Sequence, residues 1–245
     1  MSQFKLITSF SAVTIVFCLL TMTHTGSAED SDSQRLGAPW TDSFDISDCA
    51  LATAGVNRFF KLLPNYQLML EGKEGTDSVT LVVTVRNRTD TVDGVATRVV
   101  EEREAVNGEL VEVSRNFFAF CQNTGSVFYF GEDVDEYKDD QIVGHSGSWR
   151  AGHSGFRPGL MMPGLALNGA SYYQEYAPGI AMDRARIITT DTTFTTPAGV
   201  FEHCLVVEET SALEPHALEY KIYAPGVGLI KDGSLLLTSH GMIDE

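Results

Sequence analysis

Positively charged residues are scarce in this chain. Its 245 residues include 17 Lys and Arg against 33 Asp and Glu, which gives a formal net charge of -16 at pH 7. Nucleic-acid binding needs Lys and Arg to neutralise phosphates, and polybasic docking to anionic lipids needs the same side chains. The charge balance therefore disfavours both partners. An acidic surface favours solubility, and its carboxylates can also bind divalent cations.

Long apolar runs are missing after the first 28 residues. The N-terminal segment has one cation at Lys5, an apolar run over Leu6–Leu20 and small residues up to Ala28, which is the layout of a secretory signal peptide. This run is shorter than the roughly 20 residues that span a bilayer. We predict a signal peptide over residues 1–28, a periplasmic or secreted protein, and no membrane span after cleavage.

Catalytic and cofactor signatures are also absent. The sequence contains no P-loop, no Rossmann glycine fingerprint, no HExxH and no closely spaced cysteine pair. GHSG occurs at Gly144–Gly147 and at Gly152–Gly155, but Ser148 and Phe156 stand where the nucleophile elbow GxSxG needs glycine. We therefore predict no catalytic and no cofactor-binding residues, and a non-enzymatic function is favoured.

Three cysteines follow the predicted signal peptide, namely Cys49, Cys121 and Cys204. An oxidising compartment allows one pair of them to close and leaves one thiol over. The choice depends on distances between Cα atoms in the folded chain. The sequence leaves all three pairings open.

Most of the chain consists of segments rich in β-branched and aromatic residues, such as Val79–Val85, Val95–Glu104 and Glu109–Phe120. Asn107 and Gly108 lie between the last two, and this pair is typical of a hairpin turn in which both positions need positive φ. The connections are too short for crossover helices between parallel strands. We predict an all-β fold, an antiparallel meander of roughly ten strands that forms a barrel, a half-barrel or a sandwich.

Two segments depart from the strand pattern. Residues 29–48 are polar and acidic, which predicts a flexible leader. The glycine-rich stretch around Trp149, Met161 and Met162 predicts a long loop that either covers the sheet as a lid or packs into its end as a plug, and the plug is favoured. We predict a single β-rich domain over residues 49–245.

The densest acidic cluster lies in the string GEDVDEYKDD. It offers carboxylate oxygens for calcium, which takes about six to eight oxygen ligands. Its spacing does not fit an EF-hand loop, and the alternative is a solvated hairpin tip that protects an edge strand. The candidate calcium ligands are Glu132, Asp133, Asp135, Asp139 and Asp140.

Several strings carry a resemblance: YFGEDVDEYKDD, SYYQEYAPG, TTPAGVFEHCLVVEET and EYKIYAPGVGLIKDG. The most specific are the PAG-x-F motif at Pro197–Phe201 and the YAPGVGLI motif at Tyr223–Ile230. On these motifs the chain resembles a loose group of exported bacterial β-rich proteins of unassigned function. The resemblance implies a lipocalin-like or lipoprotein-carrier-like curved sheet and does not specify a function.

The aromatic strings FFAF, VFYF and SYY, together with the methionines of the long loop, favour one functional hypothesis. It is an exported non-enzymatic protein that binds a small apolar or amphipathic ligand on a concave face. The alternative is a calcium-stabilised structural or surface-interaction module that uses the acidic hairpin. A weaker alternative is a hydrolase of envelope polymers.

Overall fold

The computed structural model describes residues 39–244. The predicted signal peptide, residues 1–28, and the first part of the predicted leader lie outside this range. Strands and turns make up the described residues, which contain no helix. None of the described segments is therefore a helix able to cross a membrane. The prediction of an all-β fold is confirmed.

Seventeen strands occur in the described chain, and ten of them have at least five residues. The ten longer strands are β4 (Tyr66–Glu74), β5 (Asp77–Val92), β6 (Val95–Val106), β7 (Glu109–Cys121), β8 (Val127–Lys138), β13 (Asp183–Thr196), β14 (Gly199–Ser211), β15 (Glu219–Ala224), β16 (Gly228–Asp232) and β17 (Leu235–Met242). The shorter ones are β1 (Leu51–Ala52), β2 (Gly55–Val56), β3 (Lys61–Leu62), β9 (Gln141–Gly144), β10 (Trp149–Arg150), β11 (Gly159–Met162) and β12 (Ser171–Tyr173).

One large antiparallel sheet contains all strands except β2 and β3, which pair with each other. The strand order is β10-β8-β7-β6-β5-β4-β17-β16-β15-β14-β13-β12. The first and last strands of this order do not pair with each other, so the sheet is open. An open sheet fits the predicted half-barrel or sandwich and not the predicted closed barrel. The two halves of the sheet meet where β17 pairs with β4, with Leu237 opposite Leu70.

Tight turns connect the longest strands. Asn107 and Gly108 join β6 to β7 with φ values of 53° and 86°, and Asp93 and Gly94 join β5 to β6 with 49° and 75°. Residues of these types tolerate positive φ, which matches the twist of the flanking strands. The predicted hairpin at Asn107 is therefore confirmed.

The glycine-rich stretch between β9 and β12 packs some of its large side chains into the core. It forms the short strands β10 and β11, which both pair with β8. Trp149, Met161 and Met162 are buried. The stretch therefore adds two short strands to the sheet and three side chains to the core, where the sequence predicts a long loop.

A disulfide joins Cys49 to Cys121, while Cys204 is a buried free thiol. The bridge ties the segment before β1 to the end of β7. Residues 39–48 belong to the predicted leader, and within them Thr41 pairs in parallel with Tyr172 of β12. The chain is thus attached to the sheet at three points before β2 begins: the pairing of Thr41, the disulfide and the pairing of β1 with β7.

Removal of the disulfide is expected to lower the free energy of unfolding by about 2–4 kcal/mol. The bridge links residues 72 positions apart, and closing so long a loop restricts the unfolded chain. Urea denaturation of the double variant Cys49→Ala, Cys121→Ala measures the effect. A reducing agent should destabilise the wild type and leave the double variant unchanged. Equal midpoints for the two oxidised proteins would contradict the prediction.

Candidate functional site

The inner face of the sheet carries acidic side chains where β5 and β6 pair. In an antiparallel pair, side chains that lie directly opposite each other share a face. Glu102 lies opposite Val83, and Glu104 lies opposite Leu81. Both glutamates and Leu81 are buried, and Val83 is partly buried. Their carboxyl groups therefore project into the protein interior.

More carboxyl groups from other strands and loops occupy the same interior. Eight of them interact electrostatically with one another near the ammonium group of Lys221, and we call them the interior acidic cluster. Its members are Glu102, Glu104, Glu112, Glu132, Glu175, Glu209, Glu219 and Asp232.

Lys221 is the cation at the centre of the cluster and is 1% exposed. Its Nζ lies 3.2 Å from Oε2 of Glu209 and 3.4 Å from Oδ2 of Asp232. Burial alone would lower the pKa of the Lys221 ammonium, but the carboxylates of Asp232 and Glu209 outweigh it and raise this pKa well above its usual value. Gln174 donates a 2.9 Å hydrogen bond from Nε2 to Oε1 of Glu209.

Three members of the cluster hold protons at neutral pH or close to it. Burial raises the pKa of Glu102 to about 8, and Asp232, Glu112 and Glu104 add to this while Lys221 opposes it. Burial and Glu112 raise the pKa of Glu104 to about 8 as well. For Glu219, burial and Asp232 raise the pKa to about 7. Protons, in addition to Lys221, therefore neutralise part of the cluster.

A second group of buried polar side chains lies where β10 pairs with β8. The indole Nε1 of Trp149 donates a 3.1 Å hydrogen bond to Oε1 of Glu175, and the Tyr129 hydroxyl donates to Oδ1 of Asn116. Glu132 lies opposite Trp149 in the sheet register. Burial, followed by repulsion from other carboxylates, raises the pKa of both Glu132 and Glu175 well above the usual value. These groups are fully enclosed, so no substrate has access to them.

An apolar pocket lies on the inner face and reaches the cluster at Glu102. It is partly open and has a volume of about 40 Å³. Lys61, Tyr66, Glu102 and Tyr223 are the lining residues with polar groups. The apolar ones are Phe60, Leu68, Val83, Val85, Val100, Met161, Val227 and Leu229.

The two tyrosine hydroxyls of the lining residues differ in hydrogen bonding. The Tyr66 hydroxyl donates a 2.9 Å hydrogen bond to the Val227 carbonyl. Tyr223 is 2% exposed, and its hydroxyl has no hydrogen-bond partner within residues 39–244. Buried polar groups are nearly always hydrogen-bonded, so an unpaired one beside a pocket points to a ligand or water. Tyr223 and Glu102, together with the ammonium of Lys61, are thus able to recognise a polar atom there.

The predicted calcium ligands are not brought together. Strand alternation places Glu132 in the interior, whereas Asp133 pairs with Arg150 at 2.6 Å and Asp135 pairs with Arg115 at 2.8 Å. Asp139 and Asp140 lie in the turn between β8 and β9 with φ values of 51° and 59°. Over the whole described range, no three His, Cys, Asp or Glu residues are arranged to hold a metal ion.

The residues of the pocket and cluster could not be found from the sequence. In β6 the charged residues Glu101, Glu102, Arg103 and Glu104 are consecutive, so strand alternation puts charges on both faces. The pattern does not show which face is buried. The local signal is that Glu102 and Glu104 lie on the same face of β6 as Val100, which is an apolar residue.

No family model, curated protein or solved structure matches this chain in comparisons with known proteins. The resemblance to exported β-rich proteins of unassigned function stays a prediction. Function has to be inferred from the side chains of the pocket and of the cluster beside it.

Proposed function

We propose that this chain is an exported, non-enzymatic protein that binds a small amphipathic molecule. The apolar part of the molecule occupies the apolar pocket, and its polar group contacts Glu102 and Tyr223. One observation carries the proposal: a pocket walled mainly by apolar side chains is also lined by Tyr223, whose buried hydroxyl has no hydrogen-bond partner in the described chain. Apolar walls with a few convergent polar groups are typical of small-molecule sites.

The size of the pocket limits the ligand. A volume of about 40 Å³ accommodates only a few non-hydrogen atoms, since one water molecule in a cavity needs roughly 10–15 Å³. A short alkyl segment fits this space, and a long acyl chain does not. The pocket is partly open, so further atoms of the ligand extend past the partly exposed Lys61.

Export is supported by the disulfide and by the predicted signal peptide. Disulfides persist in the periplasm and outside the cell and are rare in a reducing cytosol. The bridge between Cys49 and Cys121 is consistent with this location. The strongly acidic composition suits a soluble binding protein outside the cytosol.

Binding is favoured over hydrolysis by the placement of the carboxyl groups. Acid and base catalysis needs carboxyl groups within hydrogen-bond reach of the substrate. Of the interior acidic cluster, only Glu102 lines the pocket. Glu132 and Glu175 are enclosed by Tyr129 and Trp149 and do not reach it.

The test is to titrate the purified protein with n-hexanol while the amide resonances are followed by NMR. We expect saturable shifts at residues around the pocket. Val100→Met, which fills the pocket, should weaken binding about tenfold or more, because the ligand loses its apolar contacts. Val99→Met is the matched control, since Val99 is also buried in β6 but does not line the pocket.

A binding constant that is unchanged in Val100→Met, or equally weakened in both variants, would contradict the pocket as the site. A protein that binds neither n-hexanol nor its amine and carboxylate counterparts would overturn the proposed function. Native mass spectrometry of protein purified from the cell envelope provides a second measurement, because a resident ligand adds a discrete mass.

A further inference from the structure

We propose that the polar group selected by the apolar pocket is a protonated amine, so that the ligand is a small apolar amine. This inference rests on the proposed function and narrows its ligand class. The structural basis is the juxtaposition of an apolar pocket, the buried carboxyl of Glu102 and the unpaired hydroxyl of Tyr223. Alcohols and carboxylates of the same length fit the apolar walls equally well, so the choice depends on the charges.

The interior contains far more acid than base. Eight carboxyl groups belong to the interior acidic cluster, and Lys221 is the ammonium that they surround. The Lys221 ammonium already pairs with Glu209 and Asp232. A second cation placed next to Glu102 pairs with the carboxylate that Glu102 forms on losing its proton, whereas an anion placed there leaves Glu102 protonated and gains no opposite charge from it. Such attraction is strong because little water is present to screen it.

The hydrogen-bonding groups of the pocket also suit an amine. An ammonium group has three donors and no acceptor. A Glu102 carboxylate accepts from it, and so does the Tyr223 hydroxyl oxygen. Phe60 and Tyr66 add aromatic rings to the pocket wall, and aromatic faces attract cations. An alcohol supplies only one donor, so it leaves more of this acceptor capacity unused.

The positive charge of Lys61 disfavours an amine as the ligand. Lys61 lines the same pocket, and its Nζ lies 4.5 Å from the centroid of the Tyr66 ring. A carboxylic acid could pair with Lys61 and insert its alkyl chain. That orientation places alkyl carbons against Glu102 and the Tyr223 hydroxyl, and burying polar groups against carbon without hydrogen bonds is costly. The amine satisfies both groups, and Lys61 is partly exposed and can turn towards solvent.

Binding of an amine has a definite proton balance. Burial raises the pKa of Glu102 to about 8, so this carboxyl is mainly protonated at pH 7. The ligand enters as an ammonium ion, Glu102 loses its proton, and the carboxylate pairs with the ammonium. The proton passes to solvent, so close to one proton is released per amine bound. Lys221 assists this ionisation, and Asp232, Glu112 and Glu104 oppose it.

Isothermal titration calorimetry at pH 7 with hexylamine, n-hexanol and hexanoate tests the inference. We expect hexylamine to bind about tenfold or more tightly than n-hexanol, which is the factor that a charge-assisted hydrogen bond contributes. Hexanoate should bind most weakly. Titrations in buffers of different ionisation enthalpy should show proton release with hexylamine and none with n-hexanol.

Two variants assign the effect to one carboxyl group. Glu102→Gln has nearly the same shape, so it should fold, lose most of the preference for hexylamine over n-hexanol and release no proton. Glu104→Gln is the matched control: Glu104 lies two residues away on the same face, is also buried, and does not line the pocket. It should keep the preference for the amine.

The outcomes separate this inference from the proposed function. Equal affinity for hexylamine and n-hexanol at the pocket would overturn the amine preference and leave the binding function standing. Tightest binding of hexanoate, lost in Lys61→Met, would reverse the ligand orientation and overturn the inference as well. If none of the three compounds binds, both the inference and the proposed function fail.

Discussion

Lys221→Met is expected to lower the free energy of unfolding by about 3–5 kcal/mol at pH 8. The substitution preserves a similar side-chain volume but removes the ammonium that pairs with Glu209 and Asp232 inside the protein. Both carboxylates then lie in a low-dielectric interior without a counter-charge. They must either remain ionised there at high cost or take up protons from solvent.

The same reasoning sets the pH dependence of the effect. Near pH 5 protons are more available, so the two carboxylates become neutral at less cost and the loss of stability should be smaller. Urea denaturation of wild type and variant at both pH values measures the difference. Lys138→Met is the control, because Lys138 is exposed and should change stability little. A loss below about 1 kcal/mol at both pH values would show that the pair contributes little net stability.

The wild-type protein is expected to be more stable near pH 5 than near pH 8. The pKa values of Glu102 and Glu104 are raised to about 8, and that of Glu219 to about 7, from an ordinary value of 4.5. At pH values between the ordinary pKa and the raised pKa, these glutamates are protonated in the folded chain and ionised in the unfolded chain. The free energy of unfolding therefore falls as the pH rises from about 4.5 to about 8 and becomes level above that.

The expected size of this effect is large for a single protein domain. One pKa unit corresponds to about 1.4 kcal/mol, so Glu102 alone contributes on the order of 5 kcal/mol over the full pH window. Many proteins instead lose stability as the pH falls, because paired carboxylates must take up protons. Thermal and urea unfolding between pH 5 and pH 8 give the slope directly.

A variant identifies the source of the pH dependence. Glu102→Gln carries no titratable group, so its stability should change less between pH 5 and pH 8 than that of the wild type. Glu109→Gln, at an exposed position in the same sheet, should keep the wild-type slope. A wild-type stability that increases from pH 5 to pH 8 would show that the buried carboxyl groups are ionised in the folded state.

The fold could be predicted from local signals. β-branched runs such as Val79–Val85 and the Asn107-Gly108 turn act within a few residues, and the structure has strands and a turn there. The disulfide could not be predicted, because Cys49 and Cys121 approach only through the pairing of β1 with β7. The tertiary structure determines that Cys49 pairs with Cys121 and that Cys204 remains a free thiol.

The site was harder to predict than the fold for a similar reason. Glu132 and Asp133 are neighbours in sequence and suggested one calcium site, yet strand alternation sends them to opposite faces. Glu102 and Tyr223 are far apart in sequence and line the same pocket. Composition shows how many carboxyl groups the chain has, but only the assembled sheet shows which of them are buried together.

The pairing of β17 with β4 constrains the order of assembly. Thr238 in β17 donates a hydrogen bond to the carbonyl of Met69 in β4, across 169 residues of sequence. Until β17 arrives, β4 has an unpaired edge in the middle of the future sheet, and the two halves cannot enclose the acidic groups between them. Contacts of such long range make folding slow. A polypeptide translocated from its N-terminus would complete its interior only after its final strand had emerged, so it would need protection against association through this edge until then.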